Sequence, residues 1–189
     1  QYMNREERIN SAVNQGADIV VSIHCNSASA PSANGSEVWI PNDSAYLYNE
    51  THVVGKGVGN GILSNLSSSC GLYNRGVKTR NCTDGETYPS PGGVCDWYGI
   101  NYYARWKGIC GIIVEHAFVT NGSDASKLAS SEWKTRMGQA DAKGIAEYYG
   151  LSKTAGGGSD VSSSSVNKTG ESVTTPMACE DNPAIMGSS

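Results

Sequence analysis

The chain has 189 residues and a formal net charge of -4, from 14 Lys and Arg against 18 Asp and Glu. Its basic residues form no block, which argues against nucleic acid as a partner. This length holds one domain with a real core plus a short appendage, and no apolar run is long enough to cross a membrane as a helix. Six cysteines in a sequence rich in Asn, Ser and Gly fit an exported protein better than a cytosolic one. No CxxC spacing occurs, so neither a zinc knuckle nor a redox dithiol has support.

Gln1-Tyr2-Met3 leads straight into a helical pattern, so the chain is expected to be a mature form or a piece of a longer protein. Residues 4 to 15 read as a helix, with Asn4 as cap, Glu6 and Glu7 in the first turn, and Ile9, Ala12 and Val13 on one face. Asp18 to His24 is an apolar strand, and by alternation His24 and Cys25 point in opposite directions. Ser36 to Ile40 reads as another strand. A helix capped by Asp43 or Ser44 then runs to about Leu66, although Gly55, Gly57, Gly59 and Gly61 each weaken it by roughly 1 kcal/mol; either close packing compensates or the boundary lies elsewhere.

Residues 67 to 100 read as a long irregular stretch, of the kind that borders an active site or forms a stapled surface loop. Cys82 and Cys95 are the preferred disulfide pair within it. Asn101 to Arg105 reads as a strand, and Ile112 to Glu115 as a second central strand. A short helix capped by Ser123 or Asp124 ends near Ala129. A final helix covers Glu132 to Tyr149, stopped by Gly150. The domain is expected to span residues 1–151, followed by a Gly, Ser and Thr-rich flexible linker at 152–175. Residues 176–189 would open a further module or form a tail.

The two central strands each end in a reactive side chain, His24 and Glu115, at the position where open α/β sheets place their chemistry. A histidine and a carboxylate at neighbouring strand ends can serve a zinc site, one as ligand and one as base. A histidine at a sheet edge is equally well a satisfied structural residue, whereas an ionised glutamate ending an apolar strand is costly unless paired or near a metal.

Ala17-Asp18-Ile19-Val20-Val21-Ser22-Ile23-His24-Cys25-Asn26-Ser27 resembles the AD-hydrophobic-SIHxN signature of the zinc-dependent N-acetylmuramoyl-L-alanine amidases. Arg75-Gly76-Val77-Lys78 resembles their RGVK segment. Val114-Glu115-His116-Ala117-Phe118-Val119-Thr120-Asn121 resembles their VExxFxxN segment, with Asp124 following. The resemblance covers roughly residues 4 to 150. It implies an open, largely parallel twisted α/β sheet flanked by helices, N-terminally incomplete here. It also implies hydrolysis of the amide between the lactyl group of N-acetylmuramic acid and L-alanine of the stem peptide, with Zn2+ as cofactor. By the same resemblance His24 is a zinc ligand and Glu115 the catalytic base, while the family's other two ligands lie before the segment that matches this chain. Arg75 and Lys78 fall where the family has a loop near the cleft and are either contacts for the substrate's carboxylates or solvated loop residues, and Asn26 either contacts substrate or orients the loop after His24.

Bacterial peptidoglycan is the implied partner, a monomer the expected state, and a secreted or cell-wall-associated location the expected setting. Two other readings stay open: a catalytically inactive peptidoglycan-binding or interaction domain, and a different zinc-dependent cell-wall peptidase. His116 should point away from Glu115 and read as a packed or hydrogen-bonded histidine, and His52 as a surface or groove residue on the long helix. Cys25 beside His24 invites a cysteine-hydrolase reading, but adjacent strand residues diverge, so a disulfide or buried thiol is the plainer role for Cys25 and Cys110. Trp97, Tyr98, Tyr102, Tyr103 and Trp106 either line a glycan groove or pack the loop base. Asn121 and Asp124 read as turn and cap residues.

Overall fold

The computed structural model describes residues 3–152, so the expected linker beyond Ser152 and the stretch from Pro176 to Ser189 lie outside the described residues. The elements in order are α1 (Arg5–Asn14), β1 (Ile19–Asn26), β2 (Ser36–Trp39), α2 (Glu50–Cys70), β3 (Asn74–Lys78), α3 (Gly99–Trp106), β4 (Cys110–Phe118), α4 (Gly122–Ala129) and α5 (Ser131–Tyr149). The four strands form one sheet in the order β1-β4-β2-β3. β1 with β4 and β2 with β3 are parallel, and β2 with β4 is antiparallel, so the sheet is largely parallel as expected.

Helices cover both faces. On one side Val38, Ile112 and Val114 pack with Val58, Ile62 and Leu66 of α2 and Met137 of α5. On the other side Ile113 packs with Ile9 of α1 and Ile100 and Ala104 of α3. Covered on both faces, β4 is buried at every position, which is why its sequence reads as a continuous apolar run rather than an alternation.

Local chemistry accounts for the element ends. α1 begins with a reciprocal capping box: the Asn4 side chain accepts the Glu7 N–H at 2.9 Å, and the Glu7 carboxylate accepts the Asn4 N–H at 2.8 Å. α2 starts later than the sequence suggests, at Glu50, with Asn49 as cap residue rather than Asp43 or Ser44. The Asn42 side chain accepts the N–H groups of Ser44 and Ala45, at 3.0 and 2.9 Å, and this Asx turn holds the chain out of the helix. α2 also runs past Leu66 to Cys70, where Gly71 closes it in the left-handed conformation.

The glycines of α2 are explained by close packing. A Cβ on Gly57 would come within 2.2 Å of the Tyr148 ring, and one on Gly144 of α5 within 2.4 Å of the Ile62 nitrogen. Bulkier residues would force α2 and α5 apart and lose the apolar contact that offsets their low helix propensity.

Residues 101–105, expected as a strand, belong to helix α3. Ile100 with Ala104, and Asn101 with Arg105, are buried at i, i+4 spacing; the aromatic residues between them masked this helical period. Arg105 is fully buried and binds Asp96 at 3.1 Å, the Thr51 hydroxyl at 2.9 Å and the Asn42 carbonyl at 2.6 Å. It thereby ties α3 to the start of α2 and to the end of the loop that follows β3. That loop is shorter than the expected irregular stretch, because residues 67–78 contain the end of α2 and the whole of β3.

Candidate functional site

Three buried ionisable side chains lie in a row across the sheet. Cα pairing sets His24 of β1 against Glu115 of β4, and Glu115 against Glu37 of β2. Residues directly opposite one another project from the same face, so the row shares the side of Ile113, the face covered by α1 and α3. His24 and Glu115 are each 5% exposed and Glu37 is 4% exposed. The His24 Nε2 lies 2.9 Å from the Ser22 hydroxyl, two residues back on the same face.

The two carboxylates are in opposite electrical situations. Glu115 has a buried Oε2 with no hydrogen-bond partner among the described residues. Burial, and secondarily the charge of Glu37, push its pKa up to about 7. Both oxygens of Glu37 are occupied: Oε1 accepts Asn26 Nδ2 at 3.0 Å, and Oε2 accepts Arg75 Nε at 2.7 Å and Lys78 Nζ at 2.5 Å. Burial works to raise the Glu37 pKa, but the hydrogen bonds and charges of Lys78 and Arg75 together hold it below the ordinary carboxylate value.

Backbone irregularity makes this convergence possible. Residues three apart on a regular strand face opposite sides, yet Arg75 and Lys78 reach the same oxygen. The β2–β3 register shifts between the pairs Ser36 with Asn74 and Val38 with Val77, so β3 carries one extra residue. Gly76 has φ +84, and its N–H donates to the Asn74 side chain at 2.8 Å. A glycine in the left-handed region with one extra residue is a β-bulge, which bends the strand and re-aims its side chains. A second register shift separates His24 with Glu115 from Asn26 with Phe118, and Asn26 also turns to Glu37.

Asn26, Arg75 and Lys78, expected as substrate contacts, are therefore brought together by Glu37, a residue the sequence reading passed over. A signal was present: Glu37 directly adjoins the apolar residues Val38, Trp39 and Ile40, and the burial argument applied to Glu115 holds equally for it.

The remaining candidates take structural places. His116 turns to the opposite side of β4 and pairs with Asp141 of α5 at 2.7 Å. His52 lies on α2 with Nδ1 2.8 Å from the Pro41 carbonyl. Cys110 is a buried thiol whose pKa burial pushes up to about 12, and Cys25 is half-buried. Asn121 caps α4 by accepting the Ser123 and Asp124 N–H groups. The Asp124 carboxylate accepts the Gly35 and Phe118 N–H groups at 2.8 and 3.0 Å, tying the turn after β4 to the start of β2. Most of the aromatic group is packing: Tyr98 lies against Trp39, and Tyr102 stacks on Tyr88 and meets Tyr103 and Trp106 edge-on. Trp97 is partly exposed beneath the Arg80 guanidinium, 4.5 Å away.

Two places offer metal donors. His24 supplies one imidazole from the strand position paired with Glu115, whose Oε2 is unsatisfied, a donor set that fits one zinc ligand and a neighbouring base. Among the described residues no third donor completes a group of three there. Away from the row, Cys82, Glu86 and Cys95 place their ligand atoms within 4.8 Å of one another, so this cluster is capable of coordinating a metal ion. Both cysteines are free thiols in the structure.

Residues 1–147 match the family model described as N-acetylmuramoyl-L-alanine amidase. Over 148 residues the chain is 30% identical to the N-acetylmuramoyl-L-alanine amidase LytC of Bacillus subtilis, covering 78% of this chain and 25% of that protein. A sporulation-specific N-acetylmuramoyl-L-alanine amidase of the same organism is 25% identical, with 84% of this chain and 51% of that protein covered. Among solved structures, Cwp6 from Clostridium difficile superposes with a TM-score of 0.62 at 27% identity, over 78% of this chain and 20% of that one. The amidase AmiC2 of Nostoc punctiforme gives 0.56 at 26% identity, over 79% and 68%. The chain thus spans between a quarter and about half the length of these two curated relatives.

Proposed function

Because the chain belongs to the N-acetylmuramoyl-L-alanine amidase family, as the match over residues 1–147 shows, we propose that it is the hydrolytic part of a cell-wall amidase. Its substrate is bacterial peptidoglycan, and the bond cut joins the lactyl group of N-acetylmuramic acid to L-alanine. The observation that carries this reading is the buried, unpartnered Glu115 oxygen paired in register with His24. The setting is secreted or cell-wall associated.

In this reading His24 would hold a zinc ion, with the Ser22 hydroxyl beside its Nε2 setting the ring. Zinc, when bound, supplies a water of lowered pKa and polarises the amide carbonyl. Glu115 takes the proton of the attacking water on its unsatisfied oxygen and returns a proton to the leaving amine, a task suited to a carboxyl group lifted to about 7. Asn26, Arg75 and Lys78, gathered on Glu37, form the polar wall that receives the stem peptide. Arg75 and Lys78 are two cations against one carboxylate, which leaves a net positive charge for a peptide carboxylate.

A second reading, an inactive peptidoglycan-binding domain, is favoured by the single histidine in the row. The two are separated by a chimera in which the part of the Bacillus subtilis relative preceding the matched region is joined to these residues. Zinc-dependent release of stem peptides with a free L-alanine amine from purified cell wall supports the amidase reading. A chimera that binds zinc and cell wall but releases no peptide rejects it. The 189 residues alone are expected to bind zinc weakly, because one family ligand and a base retain too little of the coordination shell.

A further inference from the structure

The loop between β3 and α3 forms a small antiparallel hairpin. Isolated bridges pair Asn81 with Asp96 and Thr87 with Val94, and the Cys82 N–H donates to the Cys95 carbonyl at 3.0 Å. Cys82 and Cys95 therefore stand directly opposite each other. Opposed residues of an antiparallel pair have Cα atoms about 4.5–5.5 Å apart, inside the span of roughly 4.4–6.8 Å that a disulfide requires. Their sulfur atoms already lie within 4.8 Å of each other. Cys95 is buried against Ala45 and Tyr88, with Cys82 packed beside them.

We propose that Cys82 and Cys95 are a built oxidation site, closed to a disulfide by an external low-molecular-weight disulfide, and that this bond clamps the hairpin bordering the candidate site. In the first step the half-buried Cys82, as thiolate, attacks the external disulfide; a mixed disulfide forms and one external thiol leaves. Cys95 then loses its proton and attacks the Cys82 sulfur, which releases the second external thiol. Two protein thiols and one external disulfide become one protein disulfide and two external thiols, so atoms and electrons balance. Burial and the neighbouring Cys82 raise the Cys95 pKa to about 12, which makes the more accessible Cys82 the first to react.

What the bond would hold is visible on either side of it. Asp96, next to Cys95, accepts the Asn42 N–H at 2.6 Å and the Tyr88 hydroxyl at 2.8 Å, and pairs with buried Arg105. The following Trp97 and Tyr98 reach Arg80 and Trp39, and Trp39 in turn faces Lys78. The cross-link thus fixes the segment that packs on Trp39 and, through it, borders Lys78, independently of what the row of His24, Glu115 and Glu37 does.

The test is alkylation of the whole chain after equilibration with oxidised glutathione, followed by peptide mapping and thermal melting. The proposal expects Cys82 and Cys95 to resist alkylation until reductant is added, to appear as one linked peptide, and to lose about 5–10 °C of Tm on reduction. Cys82→Ser should remove the reductant dependence of Tm, and Cys95→Ser should do the same if it folds. Free alkylation of both cysteines in the oxidised sample would overturn the proposal. So would linkage of either to another cysteine, or retention of stoichiometric zinc by the unlinked pair, which would make the cluster a metal clip.

Discussion

Glu115 and Glu37 are adjacent in one row, on neighbouring strands, with almost the same burial, and they are held in opposite states. At the β2–β3 end of the row, the bulge in β3 delivers two cations to Glu37, Asn26 of β1 adds a third donor, and the carboxylate is held ionised. At the β1–β4 end, Glu115 receives none of these donors and keeps an empty oxygen. The difference shows that burial alone does not decide what a carboxylate is for; the supply of donors by neighbouring backbone does. A fully satisfied carboxylate organises its surroundings, and an unsatisfied one is available to a proton, a metal-activated water or a substrate.

The largest effect expected from breaking this contrast is on turnover. In the chimera, Glu115→Gln should retain zinc and lose roughly 10²–10⁴-fold in peptide release, measured as free L-alanine amines; unchanged turnover removes Glu115 from the role of base.

Stability should respond in the opposite direction. The folded pKa of Glu115, about 7, lies above its ordinary 4.5, so its contribution is fully present below pH 4.5 and is lost as pH rises through 7. This amounts to something on the order of 3 kcal/mol. In the chelator-treated chain at pH 8, Glu115→Gln should therefore raise Tm, and a lowered Tm would contradict the assignment. Glu37 has the reverse sign: its pKa is held below 4.5, so its contribution is present above that pH and is lost as pH falls through the lowered folded value. Glu37→Gln should lower Tm at neutral pH by the equivalent of about 2 kcal/mol, because two cations lose their shared counterion, and should flatten the acid limb of the Tm-pH curve. The smallest effect belongs to Gly76→Ala. A Cβ there meets nothing within 4 Å, so the cost is the left-handed backbone alone, about 1 kcal/mol in chemical denaturation.

Much of this organisation was legible in the sequence. The two central strands, the cap of α1 and the strand-end positions of His24 and Glu115 follow from residue periodicity and short-range hydrogen bonding, whereas α4 is capped by Asn121 rather than by the expected Ser123 or Asp124. His116 turned away from Glu115 as strand alternation requires. What escaped has physical reasons. The α3 period was hidden because Tyr102, Tyr103 and Trp106 carry strand-like propensity while Ile100 and Ala104 carry the burial. The start of α2 was displaced by an Asx turn centred on Asn42, a bond no hydrophobic pattern records. Glu37 was missed because its partners sit on other strands, and the bulge that gathers them is a register shift, visible only once strands are paired.

The bulge at Gly76 has a further consequence at the rim of the molecule. β3 is an edge strand of the sheet, and an uninterrupted edge is a template on which a foreign strand can add. The extra residue interrupts its ladder, and two charged side chains flank the kink. Strand-by-strand association is thereby discouraged at this edge, so a β-branched residue at position 76 that flattened the kink should show itself as concentration-dependent aggregation.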